Sequence, residues 1–486
     1  MGSVRESADV ASFYHLRGAS LEGRACAGTA CFVARFLDPE RWRDAASRAP
    51  RVYCLGKCYV APSVAEDRRR AGVHAVAPRP VVLERLVDAS VRTLGAYEAL
   101  GGYRALECAL GRAPAAVVDE VERSRLRGRG GAGFPTGRKL RAVASASAAV
   151  KHVVANADEG DPGAYVDRFL LEDDPHALLE GLALAAYAVG ATQGYVYLRR
   201  EYPDALPILE RAIAEARSAG VFGPKMLGRG PAFDVEVVVG LGSYVCGEET
   251  ALLNSIEGRR PFVRSRPPYP SASGLHGRPT LVQNVETLVN LPWIVRHGGA
   301  AYAAMGYSRS RGTKVVSLSS LFRRPGLYEV ELGTPVRRIV EELGGGLATG
   351  VIKGVLVGGP LAGVLPPRHF DAPLAFEELA ALGASVGHGG VVAFDEHTSV
   401  RELVHHVFSF AAYESCGRCT PCRLGARSVE DMVAPGRPPG NATRFEEIVS
   451  ALRATSLCGH GTGLGEFAQS VLRHYREELA ACFVSS

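Results

Sequence analysis

The twelve residues HVVANADEGDPG (152–163) decide how this chain reads. His152 to Asn156 is a β-rich run, and the loop after it packs an amide and three acids, Asn156, Asp158, Glu159 and Asp161, into six positions. An apolar interior would not tolerate those groups unpaired. They either cap and turn the loop or face a polar ligand. Working outward, 194–198 and 233–239 are also β-rich and alternate with helical stretches at 175–191, 203–219 and 248–257. That order predicts an α/β fold, a βα layered arrangement around a mainly parallel sheet. Ligands of such sheets lie beyond the strand C-termini, where the glycine-rich loops are.

Two further loops fall in that position. GRGGAGFPTG (128–137) holds five glycines in ten residues and leads through Arg138 and Lys139 into a helix. Glycines let a phosphate or flat ring approach backbone amides, and a helix N-terminus favours negative charge. A tight turn has the same composition, and the string is neither a Walker loop nor a strict G-x-G-x-x-G. GLGSYVCGEE (240–249) joins the 233–239 strand to a helix. Glu248 and Glu249 read as first-turn acids favoured by the helix dipole, or as a ligand for ribose hydroxyls that repels a 2′-phosphate.

The 486 residues exceed one core, and about three domains is the ordinary expectation. A formal charge of +5, from 56 basic and 51 acidic residues, is too small and too evenly spread for a nucleic-acid surface. No apolar run reaches the roughly 18 residues of a membrane helix, and Met1 to Gly23 carries no secretory apolar segment. A soluble, cytoplasmic protein without direct membrane insertion is therefore expected. In a reducing compartment spaced cysteines more often bind metal than pair. Eight of the eleven fall into two sets. Cys416, Cys419 and Cys422 form C-x-x-C-x-x-C with Cys458 remote, a spacing that suits [4Fe–4S] ligation, with tetrahedral zinc as the alternative. Cys26, Cys31, Cys54 and Cys58 fit a four-thiolate [2Fe–2S] site, a zinc site or an unoccupied relic.

Taken together, GRGGAGFPTG (128–137), NADEGDPG (156–163), YVCGEETALL (244–253), PPYP (267–270), NVETL (284–288), ESCGRCTPCR (414–423) and SLCG (456–459) resemble one family. It comprises the flavin-bearing, NADH-oxidising subunits of respiratory NADH:quinone oxidoreductase and their soluble relatives. The resemblance implies a Rossmann-like flavin domain at 86–310, a β-grasp module at 311–390 and a helical [4Fe–4S] domain at 391–486. CAGTAC…VYCLGKCYVAP resembles a shortened thioredoxin-like [2Fe–2S] ferredoxin over 1–85. Such a fusion is most similar to the β subunit of soluble, molybdenum- or tungsten-dependent formate dehydrogenase. Asp161 in EGDPG, where a Glu is usual, leans the same way.

By this resemblance FMN is held by Gly128, Arg129, Gly130, Lys139, Asn156, Asp158, Glu159, Gly247, Asn284 and Thr287, and Gly131, Gly133, Glu248 and Gln283 are further cofactor-binding positions. The adenine of NADH stacks on Phe134 and Tyr269, and its nicotinamide lies near Glu159 and Tyr244, the two catalytic candidates. Glu249 discriminates at the ribose, and Cys416, Cys419, Cys422 and Cys458 hold [4Fe–4S]. The chain departs from the respiratory pattern at Tyr269 for Phe, Arg266 for Lys, Gln283 for the first Asn of NNVET, and Ala142, aromatic in some members.

The expected function is a diaphorase: hydride exchanged between NAD(H) and FMN, then single electrons passed through iron–sulfur clusters, with no catalytic nucleophile. Expected partners are a molybdenum- or tungsten-containing formate dehydrogenase α subunit and a small [2Fe–2S] γ subunit. The alternatives are the equivalent subunit of a respiratory complex or of an NAD-reducing hydrogenase, and, from another class, a non-catalytic zinc-binding scaffold.

Overall fold

The computed structural model describes residues 14–484. Four parallel strands, β2 (His152–Ala157), β3 (Gln193–Leu198), β4 (Asp234–Val239) and β5 (Thr280–Asn284), form a sheet in the order β4-β3-β2-β5. Val153 to Ala155 are buried, as a strand covered on both faces requires. The helix Pro175–Val189 lies in that cover, with Pro175 at its first turn and left-handed Gly190 (φ 75°) ending it. Its buried Glu180 accepts hydrogen bonds from the Tyr97 hydroxyl and the Tyr103 and Leu106 amides. The three expected strands and three expected helices of this domain are present; β5 is an additional strand.

A second, mixed sheet runs β1-β9-β8-β12-β10-β11. Its strands are β1 (Gly72–Ala75), β8 (Thr313–Leu318), β9 (Gly326–Glu331), β10 (Ile352–Val357), β11 (Val364–Leu365) and β12 (Gly390–Asp395), preceded by the short hairpin β6 (Gly306–Tyr307) and β7 (Ser310–Arg311). Two of these strands lie outside 311–390: β12 straddles its end, and β1 comes from the N-terminal segment. Turns of this sheet press on the first domain. A β-carbon on Gly390 would stand 2.8 Å from the backbone of Gly163, and one on Gly359 would overlap the Asp161 carboxylate.

The thioredoxin-like arrangement expected for 1–85 is corrected. Among the described residues, 14–85 contains a single strand, β1, and it pairs in parallel with β9. Its apolar side chains join a core continuous with the rest of the chain, and Ala25, Ala27, Ala45 and Tyr53 pack with Phe410 of the C-terminal helices. Phe32 stacks on His406 at 4.4 Å, and Arg35 pairs with Glu402 at 2.6 Å, so the segment is wedged against the C-terminal helices.

The C-terminal part is helical as expected, with helices Val400–Glu414, Ala426–Val433, Ala442–Thr455 and Gly459–His474. Ser399 and Asn441 cap two of them by accepting the Glu402 and Arg444 amides. Among the described residues no helix is long and apolar enough to cross a membrane.

Candidate redox site

The C-terminal ends of β2 and β5 bring Asn156 and Asn284 into direct register. Asn156 Nδ2 donates to the Gly247 carbonyl at 2.8 Å, which ties the 156–163 loop to the 244–249 turn. Asn284 caps the helix Val285–His297 by accepting the Thr287 amide at 3.1 Å, and its Nδ2 donates to Asp167 Oδ2 at 2.6 Å. Thr287 Oγ1 accepts the Arg129 amide at 2.8 Å and so pins the glycine-rich loop to the same helix. That loop is closed by the Gly128 amide on the Phe134 carbonyl. A β-carbon at Gly130 would stand 2.8 Å from Asn284 Cβ, so only glycine permits this approach.

Several expected ligands are already engaged within the protein. The Arg129 guanidinium points inward and donates to Tyr302 Oη at 2.9 Å and the Arg311 carbonyl at 2.7 Å. Lys139 and Glu249 form one ion pair at 2.6 Å, with Lys139 also donating to the Val282 carbonyl and Arg266 reaching Glu249 at 3.3 Å. Glu248 is the N-cap of the helix Glu249–Ile256, accepting from the Thr250 and Ala251 amides at 2.9 Å. Phe134 and Tyr269 stand 53% and 57% exposed, open to a stacking partner.

Glu159 is buried. Its carboxylate accepts the Asp167 amide at 3.1 Å, the Arg168 amide at 3.0 Å and the Tyr202 hydroxyl at 2.9 Å, so it acts from inside the loop. Burial, and after it Asp167, pushes its pKa up to about 7. Tyr244 lies over Gly160 and reaches the iron–sulfur domain. Its ring meets Phe410 edge-on at 5.0 Å and His460 at 5.4 Å, and its amide donates to Glu414 at 2.9 Å. Glu414 ends the helix before Cys416, and His460 follows Cys458 by two positions.

The residues fit a flavin nucleotide. Asp158 Oδ2, Glu248 Oε1 and Gln283 Nε2 are buried with no hydrogen-bond partner. Such groups in a native protein call for an explanation, and a polar ligand supplies one. Gln283 stands on β5, Asp158 just beyond β2, and Glu248 after the turn that follows β4.

Both cysteine sets assemble. Cys416, Cys422 and Cys458 are buried and Cys419 is partly exposed. Cys422 Sγ lies 3.2 Å from Ser415 Oγ, and burial raises the Cys458 thiol to about 12. In the N-terminal set, Cys54 Sγ and Cys58 Sγ are 3.5 Å apart, and Cys26 and Cys31 are hydrogen-bonded to each other. Among the described residues no three of the eight sulfurs lie within 4.8 Å of one another. A β-carbon on Gly28 would meet Cys26 Sγ, the Cys54 amide and Pro162 at 3.2–3.3 Å, which sets the N-terminal thiols against the 156–163 loop.

Sequence reasoning missed the layer behind the loops: Asp167, His388, Arg199 and Tyr202. Asp167 and His388, with Glu159, form the one group of three ligand-type side chains among the described residues whose atoms lie within 4.8 Å of one another. The G-H-G-G string at 387–390 was the available signal, since a histidine between glycines sits in a turn where packing does not demand an imidazole.

Residues 121–293 match the Nuo51 FMN-binding domain, and residues 402–482 match the NADH-ubiquinone oxidoreductase-F iron–sulfur binding region. The chain is 42% identical over 408 residues to the F 2 subunit of the NADH-quinone oxidoreductase of Rhizobium meliloti, covering 83% of this chain and 97% of the relative. It is 40% identical over 390 residues to the HndC subunit of the NADP-reducing hydrogenase of Solidesulfovibrio fructosivorans, 79% of each chain. An NAD+-reducing [NiFe]-hydrogenase chain in the H2-reduced state superimposes with a TM-score of 0.81 at 30% identity, covering 99% of this chain and 87% of that one. The chain thus belongs to the family of NADH-oxidising flavoprotein subunits that bind FMN, NADH and a [4Fe–4S] cluster.

Proposed function

We propose that this chain exchanges hydride between NAD(H) and FMN at the ends of β2 and β5, and passes single electrons along Tyr244 toward the Cys416, Cys419, Cys422 and Cys458 cluster. The observation that carries this is the ring of Tyr244, which touches the flavin-side loop at Gly160 and the helices that present Cys416 and Cys458. Bound FMN supplies the conversion between electron pairs and single electrons. The protein's own part is orientation and charge. Gly130 and Asn284 shape the cradle, Gln283 and Asp158 offer polar atoms, Phe134 and Tyr269 offer flat apolar faces, and Glu249 offers its carboxylate toward a ribose. Lys139 neutralises Glu249 until a ligand separates them. The N-terminal thiols, packed against Pro162, are proposed to hold a [2Fe–2S] cluster within electron-transfer reach of the same loop.

For the partner we propose a molybdenum- or tungsten-dependent formate dehydrogenase α subunit with a small [2Fe–2S] γ subunit, on the strength of the fused N-terminal cysteines and Asp161. A hydrogenase assembly is the second reading, favoured by the likeness to the NAD+-reducing hydrogenase chain over 99% of this chain. Anaerobic reconstitution with FMN, iron and sulfide tests the core reading: a yellow-brown protein bleached by NADH is expected, and a colourless one that passes no electrons to a dye overturns it. Co-purification with a molybdopterin subunit or with a [NiFe] subunit chooses the partner.

A further inference from the structure

His388 sits in the turn before β12, next to Gly387, whose backbone is the nearest neighbour of Gly131 in the glycine-rich loop. Its imidazole is buried between two acids. Nε2 lies 3.2 Å from both Asp167 Oδ2 and Asn284 Nδ2, and Nδ1, which makes no hydrogen bond, lies 3.4 Å from Glu159 Oε1. Asp167 Oδ2 also accepts Asn284 Nδ2, and Asp167 Oδ1 accepts the Glu286 amide at 3.3 Å. Two acids at so short a range, away from water, either retain a proton or hold a positive charge between them, and the imidazole nitrogens within 3.4 Å of both are placed to carry that charge. Burial alone would lower the His388 pKa, but Asp167 and Glu159 raise it to about 9. The other charged neighbours do not cancel this. Asp161 faces His388 from the same loop, and Lys314 on β8, whose Nζ lies near Gly389, is paired with Glu286. Arg199 and Tyr202 bind the far side of Glu159, at its carbonyl and carboxylate.

We propose that His388 is a positioning residue of the flavin site: an imidazolium clamped by Asp167 and Glu159, it locks Asn284 through Asp167 and raises the midpoint potential of the bound flavin. The inference rests on FMN binding in this cradle. Compared with a neutral side chain in the same place, a protonated His388 makes this acidic cluster less negative and so favours the reduced, more negative form of a bound flavin, and charge near the ring is a recognised lever on flavin electronics.

The test is anaerobic spectroelectrochemical titration of the FMN-loaded full chain, or of its complex, over a pH series. Wild type is expected to show a potential that falls more steeply once pH passes about 9, where His388 gives up its proton. His388→Gln keeps the size and a donor toward Asp167 but not the charge. It is expected to shift the potential to more negative values at neutral pH and to abolish the alkaline break. His388→Lys, which restores a cation, is expected to recover part of the shift. A His388→Gln chain with the wild-type potential and the wild-type break overturns the proposal. If His388→Gln takes up no flavin, the wild-type series decides alone, and an unbroken slope through about pH 9 overturns it. Wild-type protein that takes up no FMN at all overturns the cradle reading instead.

Discussion

Asn156 and Asn284 face each other across β2 and β5 in direct register, one tied to the Gly247 carbonyl and the other to Asp167. In the proposed flavin site both act on one bound group, so their substitutions are expected to couple. Asn284→Ala also removes a helix cap, typically worth about 1 kcal/mol. FMN affinity, followed by fluorescence quenching, should fall for each single variant, and the double variant should lose less than the sum. Strict additivity would argue that the two residues serve separate groups.

Gly130→Ala inserts a methyl group against Asn284 Cβ. Overpacking costs about 1–3 kcal/mol where nothing can yield, and here the neighbour is held by a cap and by Asp167. Flavin absorbance after desalting should drop sharply while the circular dichroism spectrum stays as in wild type. Full flavin retention would place the ligand elsewhere.

Cys422→Ser and Cys458→Ser remove thiolates that the C-terminal cluster requires. The paramagnetic signal of reduced [4Fe–4S] should vanish, while NADH still bleaches the flavin band, because the cradle lies in a different domain. Cys54→Ser should lower iron content in the N-terminal set and leave the C-terminal signal intact. Zinc recovered in place of iron at the N-terminal thiols would overturn the [2Fe–2S] proposal.

Glu249 sits between Lys139 and Arg266, and in the proposed site its carboxylate discriminates at the ribose. Glu249→Gln removes a charge that repels a 2′-phosphate. The kcat/KM for NADPH should rise about tenfold, roughly 1.4 kcal/mol, while that for NADH changes little. An unchanged NADPH-to-NADH ratio would remove Glu249 from the discriminator role.

Glu159 and His388 give stability a pH dependence of defined sign. Each holds its proton to higher pH in the folded chain than its ordinary value of 4.5 or 6.5, reaching about 7 and about 9. A folded state that binds more protons loses stability as pH rises. The Glu159 contribution falls away between 4.5 and about 7, and that of His388 between 6.5 and about 9. The thermal midpoint should therefore decline across that upper interval, and His388→Gln should flatten the decline. A midpoint that climbs there in wild type would contradict the clamped imidazolium.

Much of the redox site is local in sequence. The glycine-rich loop, the 156–163 loop and the C-x-x-C-x-x-C run each bring their groups together within about ten residues, so strand–loop–helix order and spacing suffice to read them. The β5 strand escaped notice because Thr280–Asn284 is short and ends in polar residues that serve the site.

The sequence by itself determined the parallel α/β sheet, the loops at its C-terminal ends and the two cysteine sets, because periodicity and spacing are properties of contiguous residues. Only the tertiary structure decided that the N-terminal segment surrenders its strand to a distant sheet, that Lys139 and Glu249 neutralise each other, and that His388 stands between Asp167 and Glu159. Those relations join residues up to 254 positions apart (72 to 326). They follow from how two sheets pack and from the cost of burying unpaired charge, neither of which leaves a local pattern.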